Sequence, residues 1–168
     1  MSHTLFVLFT MDVEPCQRKS GVSGPVSDEA GMRAILDFEN VLRLRGYRAT
    51  YFVHPELIEA HPEFYRNLRK EGCGLGLHLH TTKFSVAPQA CELGGLAPAE
   101  QHRLLDLSVS MFEKGLGIRP RLFRPGCFSA NDDTYRILCD LGFCGGGVSI
   151  PERIWTERFC IWSGAYPY

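Results

Sequence analysis

The sequence contains no apolar run long enough to cross a membrane, and it carries almost no net charge. A membrane-spanning helix needs about 18–20 consecutive apolar residues, and no stretch of the 168 residues approaches that length. The 18 basic and 19 acidic side chains give a formal net charge of −1, which argues against binding to nucleic acid or to a membrane surface through bulk charge. We therefore expect neither a membrane nor a nucleic acid among the partners of this protein.

The sequence also lacks a Cys-x-x-Cys pair and a recognisable leader. The seven cysteines are scattered along the chain: Cys16, Cys73, Cys91, Cys127, Cys139, Cys144 and Cys160. Their odd number and spacing argue against a zinc knuckle or a redox motif and favour free thiols in a reducing compartment. The short apolar run at residues 5–9 follows no positively charged segment and does not predict a signal peptide. We expect a cytoplasmic location.

Short apolar runs alternate with amphipathic helical patterns along the chain. The apolar runs predict buried strands at residues 5–10, 48–53, 72–80 and 121–123 and from residue 143 onward. Helical spacing predicts helices at residues 28–46, 56–70 and 98–115 and after residue 131. Ser27 and Asn131 are the predicted N-caps of the first and last of these helices. This alternation is typical of β-α-β units with a parallel sheet, and the length suits one domain.

A His-x-His pair ends the third predicted strand. Side chains alternate between the two faces of a strand, so His78 and His80 share one face while Leu77 and Leu79 share the other. Two neutral imidazoles at this spacing suit one side of a metal ion. The alternative is a pair of surface histidines at the end of a strand.

Charged residues end two other predicted strands. The first strand continues to Asp12 and Glu14, which share a face, and the fourth ends at Arg124. The carboxyl ends of parallel strands meet at one edge of the sheet, so we expect these residues to converge with the two histidines. Taken singly, the acids could be exposed strand-end residues, and the arginine could belong to a structural ion pair.

Two carboxylates, two imidazoles and one guanidinium in one place are typical of a metal-assisted hydrolase. Glu14, His78 and His80 could supply three ligands and leave a position open for water. Asp12 could then take a proton from that water as general base. Arg124 could pair with Asp12 and hold it ionised and oriented.

Four segments occur in an order and spacing that resemble one enzyme family. They are residues 10–14 (TMDVE), 46–53 (GYRATYFV), 71–78 (EGCGLGLH) and 123–125 (FRP), the last followed by 131–134 and 141–143. Together they resemble the motifs of the polysaccharide deacetylase family (NodB homology, carbohydrate esterase family four). The resemblance extends from about residue 5 to residue 147.

The resemblance implies a fold, a reaction and a cofactor. The fold would be an incomplete, distorted (β/α) barrel with about five parallel strands and flanking helices. It would form a single partial domain over residues 1–168 that lacks the C-terminal part of the family fold. The reaction would be removal of acetyl or similar acyl groups from an amide or ester of a carbohydrate-type substrate. It would depend on a divalent metal, with Zn as first choice and Co, Ni or Fe as alternatives.

The resemblance also assigns roles by position. Asp12 corresponds to the base, Arg124 to its partner and His78 to the first histidine ligand. The segment that follows Arg124 corresponds to a substrate-binding turn, formed here by Pro125, Gly126 and Cys127. A backbone N–H near Cys127 could bind the oxyanion.

The sequence departs from the family pattern at four places. After Arg124-Pro125 the family's usual Pro-Tyr-Gly is replaced by Gly126-Cys127-Phe128. The family's second acidic position falls on Val13, so Glu14 must serve one residue later. Its second histidine position falls on Thr82, so His80 must substitute. The family also carries a late Leu-x-His whose imidazole is the general acid, beyond the match in this chain. General acid catalysis is worth about 10²–10⁴ in rate, so we expect weak or no activity from this chain alone.

Two other functions fit the same sequence. A non-catalytic carbohydrate-binding remnant, or a subunit completed by a partner chain, would explain the missing C-terminal part. An open sheet edge would also suit a homo-oligomer. A barrel amidohydrolase is the weaker alternative, because His78 follows the third strand and not the first. We expect the substrate to be an acetylated carbohydrate or a small amide.

Overall fold

A five-stranded parallel sheet organises the chain in the computed structural model, which describes residues 5–87 and 91–163. The strands are β1 (Phe9–Val13), β2 (Ala49–Val53), β3 (Gly74–Leu79), β4 (Leu122–Pro125) and β5 (Gly145–Gly146). Each strand pairs in parallel with the next one along the chain, so the spatial order is β1-β2-β3-β4-β5. The parallel sheet predicted from the apolar runs is therefore confirmed.

Helices connect consecutive strands of this sheet. They are α1 (Gln17–Ser20), α2 (Asp28–Arg43), α3 (Pro55–Ala60), α4 (Pro62–Lys70), α5 (Pro98–Leu116) and α6 (Asp132–Asp140). A two-stranded antiparallel hairpin follows, formed by β6 (Ile154–Trp155) and β7 (Cys160–Ile161). Short 3₁₀ turns lie at Gly21–Ser23, Thr81–Lys83, Leu93–Gly95, Gly126–Phe128 and Thr156–Arg158. Across the described ranges, the helices are too short or too polar to span a bilayer.

Local sequence signals explain where the helices begin and end. The Ser27 side chain accepts a hydrogen bond from the Ala30 N–H, and Asn131 forms a capping box with Thr134 at the start of α6. Both predicted N-caps are thus confirmed.

The single helix predicted over residues 56–70 is wrong, because the chain breaks into α3 and α4 at Pro62. Proline has no N–H to donate and disfavours helical geometry in the residue before it.

The first predicted strand is only partly correct. Leu5, Phe6 and Leu8 are 85%, 86% and 86% exposed, and the strand begins only at Phe9. Among the described residues, no strand pairs with the outer edge of β1, so nothing covers this part of the apolar run. An apolar run predicts burial whether or not a neighbouring element is present to bury it. The central strands β2 and β3 do lie in the core.

Candidate active site

The carboxyl ends of β1, β3 and β4 place the predicted site residues along one edge of the sheet. Asp12 lies in β1 and Glu14 follows that strand, while His78 lies in β3 and His80 follows it. Arg124 lies in β4 and is the register partner of His78. Parallel pairing brings these strand ends together because all five strands run in the same direction.

Three donor groups converge on one point at this edge. The Oε1 atom of Glu14 lies 3.2 Å from Nε2 of His80 and 3.8 Å from Nε2 of His78. One donor atom from each of the three residues lies within 4.8 Å of the other two. Both imidazoles are buried, and their ring centroids are 5.0 Å apart. Donors at these separations can converge on one cation at about 2.0–2.2 Å with modest adjustment.

Hydrogen bonds orient both imidazoles towards that point. Nδ1 of His78 lies 2.9 Å from the carbonyl oxygen of Arg124, so this nitrogen carries the proton and donates it. Nε2 of His78 is then an acceptor, and it is buried with no hydrogen-bond partner in the described parts of the chain. A buried polar atom without a partner costs about 1–3 kcal/mol. A cation between the two rings would satisfy this nitrogen, so the residues present fit a metal ion.

Glu14 carries the negative charge of this cluster. Partial burial opposes its ionisation, but the neighbouring His78 and His80 rings and the Lys83 ammonium outweigh that cost and hold the pKa of Glu14 far below its usual value. The Lys83 ammonium is in direct contact with Oε2 of Glu14. Oε1 faces the two histidines, so the carboxylate is anionic on the side where a cation would bind.

Asp12 forms an ion pair beside this cluster. Nη1 of Arg124 donates to Oδ1 of Asp12 at 2.7 Å, and Nη2 of Arg124 donates to Thr10 Oγ1 at 3.2 Å. The guanidinium lies over the ring of Phe52, 4.1 Å from its centroid. The Asp12 side chain remains about one third exposed. Its position is therefore fixed by Arg124 while solvent and small molecules can still reach it.

The turn after β4 lies directly against His80. A side chain at Gly126 would overlap the His80 ring, so only glycine fits there. Cys127 and Phe128 follow with φ angles of 53° and 54°, a left-handed conformation that is uncommon for residues other than glycine. Burial and the nearby Glu92 raise the pKa of the Cys127 thiol. A protonated thiol is a poor nucleophile. Roles for Pro125, Gly126 and Cys127 in binding substrate remain predictions.

Two residues of the site came from segments with no periodic pattern. Glu92 and Lys83 belong to the long connection between β3 and α5, in which the sequence shows neither a strand nor a helix period. Oε1 of Glu92 accepts a hydrogen bond from Nδ1 of His80 at 2.9 Å. Irregular segments have no repeat that would show which side chains turn inward, so sequence reasoning missed both residues.

A third histidine lies buried at the end of β2. His54 is fully buried, and its ring packs edge-on against Phe84 with the centroids 5.7 Å apart. Neither ring nitrogen has a hydrogen-bond partner among the described residues. Burial, opposed in part by Glu56, lowers the pKa of His54 to about 3. The ring is therefore neutral in the folded protein at neutral pH.

Replacing His54 with leucine should reduce the loss of stability in acid. The unfolded chain takes up a proton on His54 below about pH 6.5, while the folded chain does not, so the folded state loses about 1.4 kcal/mol per pH unit below that value. At pH 5 this amounts to about 2 kcal/mol. Urea unfolding at pH 7 and pH 5 should show a smaller difference for His54→Leu than for the wild type. His102→Leu, at an exposed position of α5, is the control; an identical pH difference in wild type and His54→Leu would contradict the expectation.

Solved structures with the same architecture come from deacetylases and related proteins. The chain aligns with a family 4 carbohydrate esterase from Streptomyces lividans at TM-score 0.61 and 20% identity, covering 88% of this chain and 62% of that one. It aligns with the peptidoglycan deacetylase PdaC from Bacillus subtilis at TM-score 0.56 and 22% identity, covering 82% and 55%. A CE4-family pseudoenzyme from Bacillus anthracis aligns at TM-score 0.61 and 17% identity, covering 83% and 41%.

These alignments establish the fold. The chain has the open, five-stranded part of a (β/α) barrel with flanking helices, and it spans at most 62% of the three structures compared. The fold class predicted from the sequence is confirmed. A comparison of the sequence with curated proteins found no match.

A family model described as polysaccharide deacetylase matches residues 25–145, which is 121 of the 168 residues. The matched range contains β2, β3 and β4 and therefore includes the two histidines and Arg124. The chain belongs to the polysaccharide deacetylase family.

Proposed function

We propose that this protein is a metal-dependent hydrolase that removes acetyl or similar acyl groups from an amide or ester of a carbohydrate-type substrate. The proposal rests on one observation. Glu14, His78 and His80 direct three donor atoms at one point, and Nδ1 of each imidazole already has a hydrogen-bond acceptor. Family membership supports hydrolysis of an acetyl amide or ester. The metal and the carbohydrate are the proposed parts.

The residues around this point have separate tasks in the proposed reaction. Glu14, His78 and His80 hold the cation, which we take to be Zn, with Co, Ni or Fe as alternatives. When bound, such an ion supplies Lewis acidity that activates water and polarises an acyl carbonyl. Asp12 accepts a proton from the attacking water at its carboxylate, and Arg124 holds that carboxylate in place through the 2.7 Å hydrogen bond.

The turn at Gly126–Phe128 completes the proposed site. Gly126 lets the backbone approach the His80 ring, which would bring N–H groups of this turn close to an acyl group bound at the metal. We propose that Pro125, Gly126 and Cys127 contact the substrate there and that an N–H of this turn stabilises the oxyanion.

A non-catalytic role is the second candidate. One structural neighbour is itself a pseudoenzyme, which suits a carbohydrate-binding module. The open edge of the five-stranded sheet would suit a subunit that pairs with a partner chain.

Metal analysis combined with acetate release separates the two candidates. Purified protein should bind about one equivalent of a divalent metal. It should release acetate slowly from an acetylated chito-oligosaccharide, lose that activity with a chelator and regain it with added Zn²⁺. Calorimetric binding of the oligosaccharide without acetate release at any metal loading would favour the non-catalytic module. Protein that binds no divalent metal would contradict the proposed function.

A further inference from the structure

Glu92 is a buried acid next to the proposed metal site with no part in the reaction described above. Its side chain is 2% exposed. Oε1 accepts hydrogen bonds from Nδ1 of His80 at 2.9 Å and from Thr82 Oγ1 at 2.6 Å. Oε2 is buried without a hydrogen-bond partner in the described parts of the chain. His80 is the only basic side chain in ion-pair contact with Glu92 within those parts.

The backbone around Glu92 ties the loop to the His80 turn. Thr81 Oγ1 donates to the carbonyl oxygen of Cys91 at 2.6 Å, directly before Glu92 in the chain. The Gly95 N–H donates to the carbonyl oxygen of Glu92 at 3.0 Å and closes the next turn. The carboxylate is therefore held from both sides of its own position, and it faces an imidazole that is also fixed.

We propose that Glu92 is a positioning residue that fixes His80 as a metal ligand through Nε2. This inference rests on the metal site proposed above. A neutral imidazole has one proton, and a carboxylate that accepts it at Nδ1 leaves the Nε2 lone pair free. Nε2 of His80 lies 3.2 Å from Oε1 of Glu14, on the side to which His78 also directs its Nε2, so a cation bound there would meet the lone pairs of both rings.

The two histidines are held by acceptors of different charge. His78 donates to a neutral backbone carbonyl, whereas His80 donates to an anionic carboxylate. A carboxylate acceptor strengthens the donor power of the opposite ring nitrogen more than a carbonyl does. His80 is thus the stronger of the two imidazole ligands. A buried carboxylate with no lysine or arginine partner also costs free energy, and a cation on the far side of His80 reduces that cost.

A second donor set shares His80 and must be weighed against the first. His80, Glu92 and Cys127 also offer atoms within 4.8 Å of one another. A cation held there through Nδ1 would require His80 to give up its hydrogen bond to Glu92 and Cys127 to ionise. It would also leave Nε2 of His78 buried without a partner. The set with Glu14 requires neither change, so we place the cation there and Glu92 behind the ligand.

Metal affinity of Glu92 variants tests the assignment without relying on turnover. Competition with a chromophoric chelator should show that Glu92→Ala weakens Zn²⁺ binding by about 10–100-fold. Glu92→Gln should fall between this variant and the wild type, because its amide oxygen still accepts a hydrogen bond. Glu59→Gln, an exposed acid on α3, should bind as the wild type does. Nitrogen NMR of the histidine rings in Zn-loaded protein should show a proton on Nδ1 of His80 that exchanges slowly with water, and Glu92→Ala should make this exchange faster.

Cobalt substitution identifies the donor set. Wild-type protein loaded with Co²⁺ should lack the strong near-ultraviolet absorption of a cobalt–thiolate bond, and Cys127→Ala should bind Co²⁺ equally well. A thiolate band that disappears in Cys127→Ala would overturn the assignment. Unchanged Zn²⁺ affinity and unchanged exchange of the His80 Nδ1 proton in both Glu92 variants would also overturn it. Zinc binding by the wild type would in that case leave the proposed function intact. Wild-type protein that binds neither metal would remove both proposals together.

Discussion

Replacing Asp12 with asparagine is expected to slow acetyl release by about 10²–10⁴-fold while leaving metal affinity unchanged. Asparagine preserves the shape of the side chain and can still accept the hydrogen bond from Arg124, which the structure places at 2.7 Å. It cannot take a proton from water at neutral pH. The loss should therefore fall on kcat, measured as acetate release from the Zn-loaded protein at saturating substrate.

The rate of acetate release and the metal affinity of Asp12→Asn should both be measured on the same preparation. Asp106→Asn, at an exposed position on α5, is the control and should retain the wild-type rate. That result would show that the loss of one negative charge does not by itself slow acetate release. Asp12→Asn that keeps the wild-type kcat would exclude Asp12 as the base. Asp12→Asn that loses the metal would place this carboxylate among the ligands instead.

The convergence of residues from distant parts of the chain could be predicted because it follows from simple geometry. His78 and His80 share a face because strand side chains alternate, and Arg124 meets His78 because parallel strands in one sheet end together. Both rules need only the sequence pattern. The same holds for Ser27 and Asn131, whose short polar side chains precede amphipathic segments and cap them.

The residues that support the ligands could not be predicted in this way. Glu92 contacts His80 because of the course of a long irregular loop. Such a loop has no periodic pattern in the sequence from which its course could be predicted. His54 packs against Phe84, but only the three-dimensional structure shows that both of its ring nitrogens are buried without a partner among the described residues. Exposure of Leu5 and Leu8 likewise depends on which elements lie beside β1. A local sequence pattern predicts whether a segment is suited to a buried strand or a helix. The neighbouring elements determine which of its side chains are buried and which groups they contact.

Replacing His78 with alanine is expected to abolish the stabilisation that zinc gives the folded protein. A ligand that binds only the folded state raises the free energy of unfolding by about 2.7 kcal/mol at a concentration one hundred times its Kd. In His78→Ala the cation would keep only Glu14 and His80, and the unpartnered Nε2 that the structure directs at the site would be gone. At the same zinc concentration, the gain for the variant should be close to zero.

Urea unfolding with and without Zn²⁺ measures this effect in a way that needs no substrate and no general acid. The metal-free His78→Ala protein also loses a buried ring and is destabilised for that reason, so the quantity to compare is the increase caused by zinc and not the stability itself. His102→Ala, an exposed histidine on α5, should keep the full increase. An increase in His78→Ala equal to that of the wild type would mean that zinc binds elsewhere. The three donor atoms at the strand ends would then not form the zinc site. The proposed hydrolysis would have no metal at these residues to activate water.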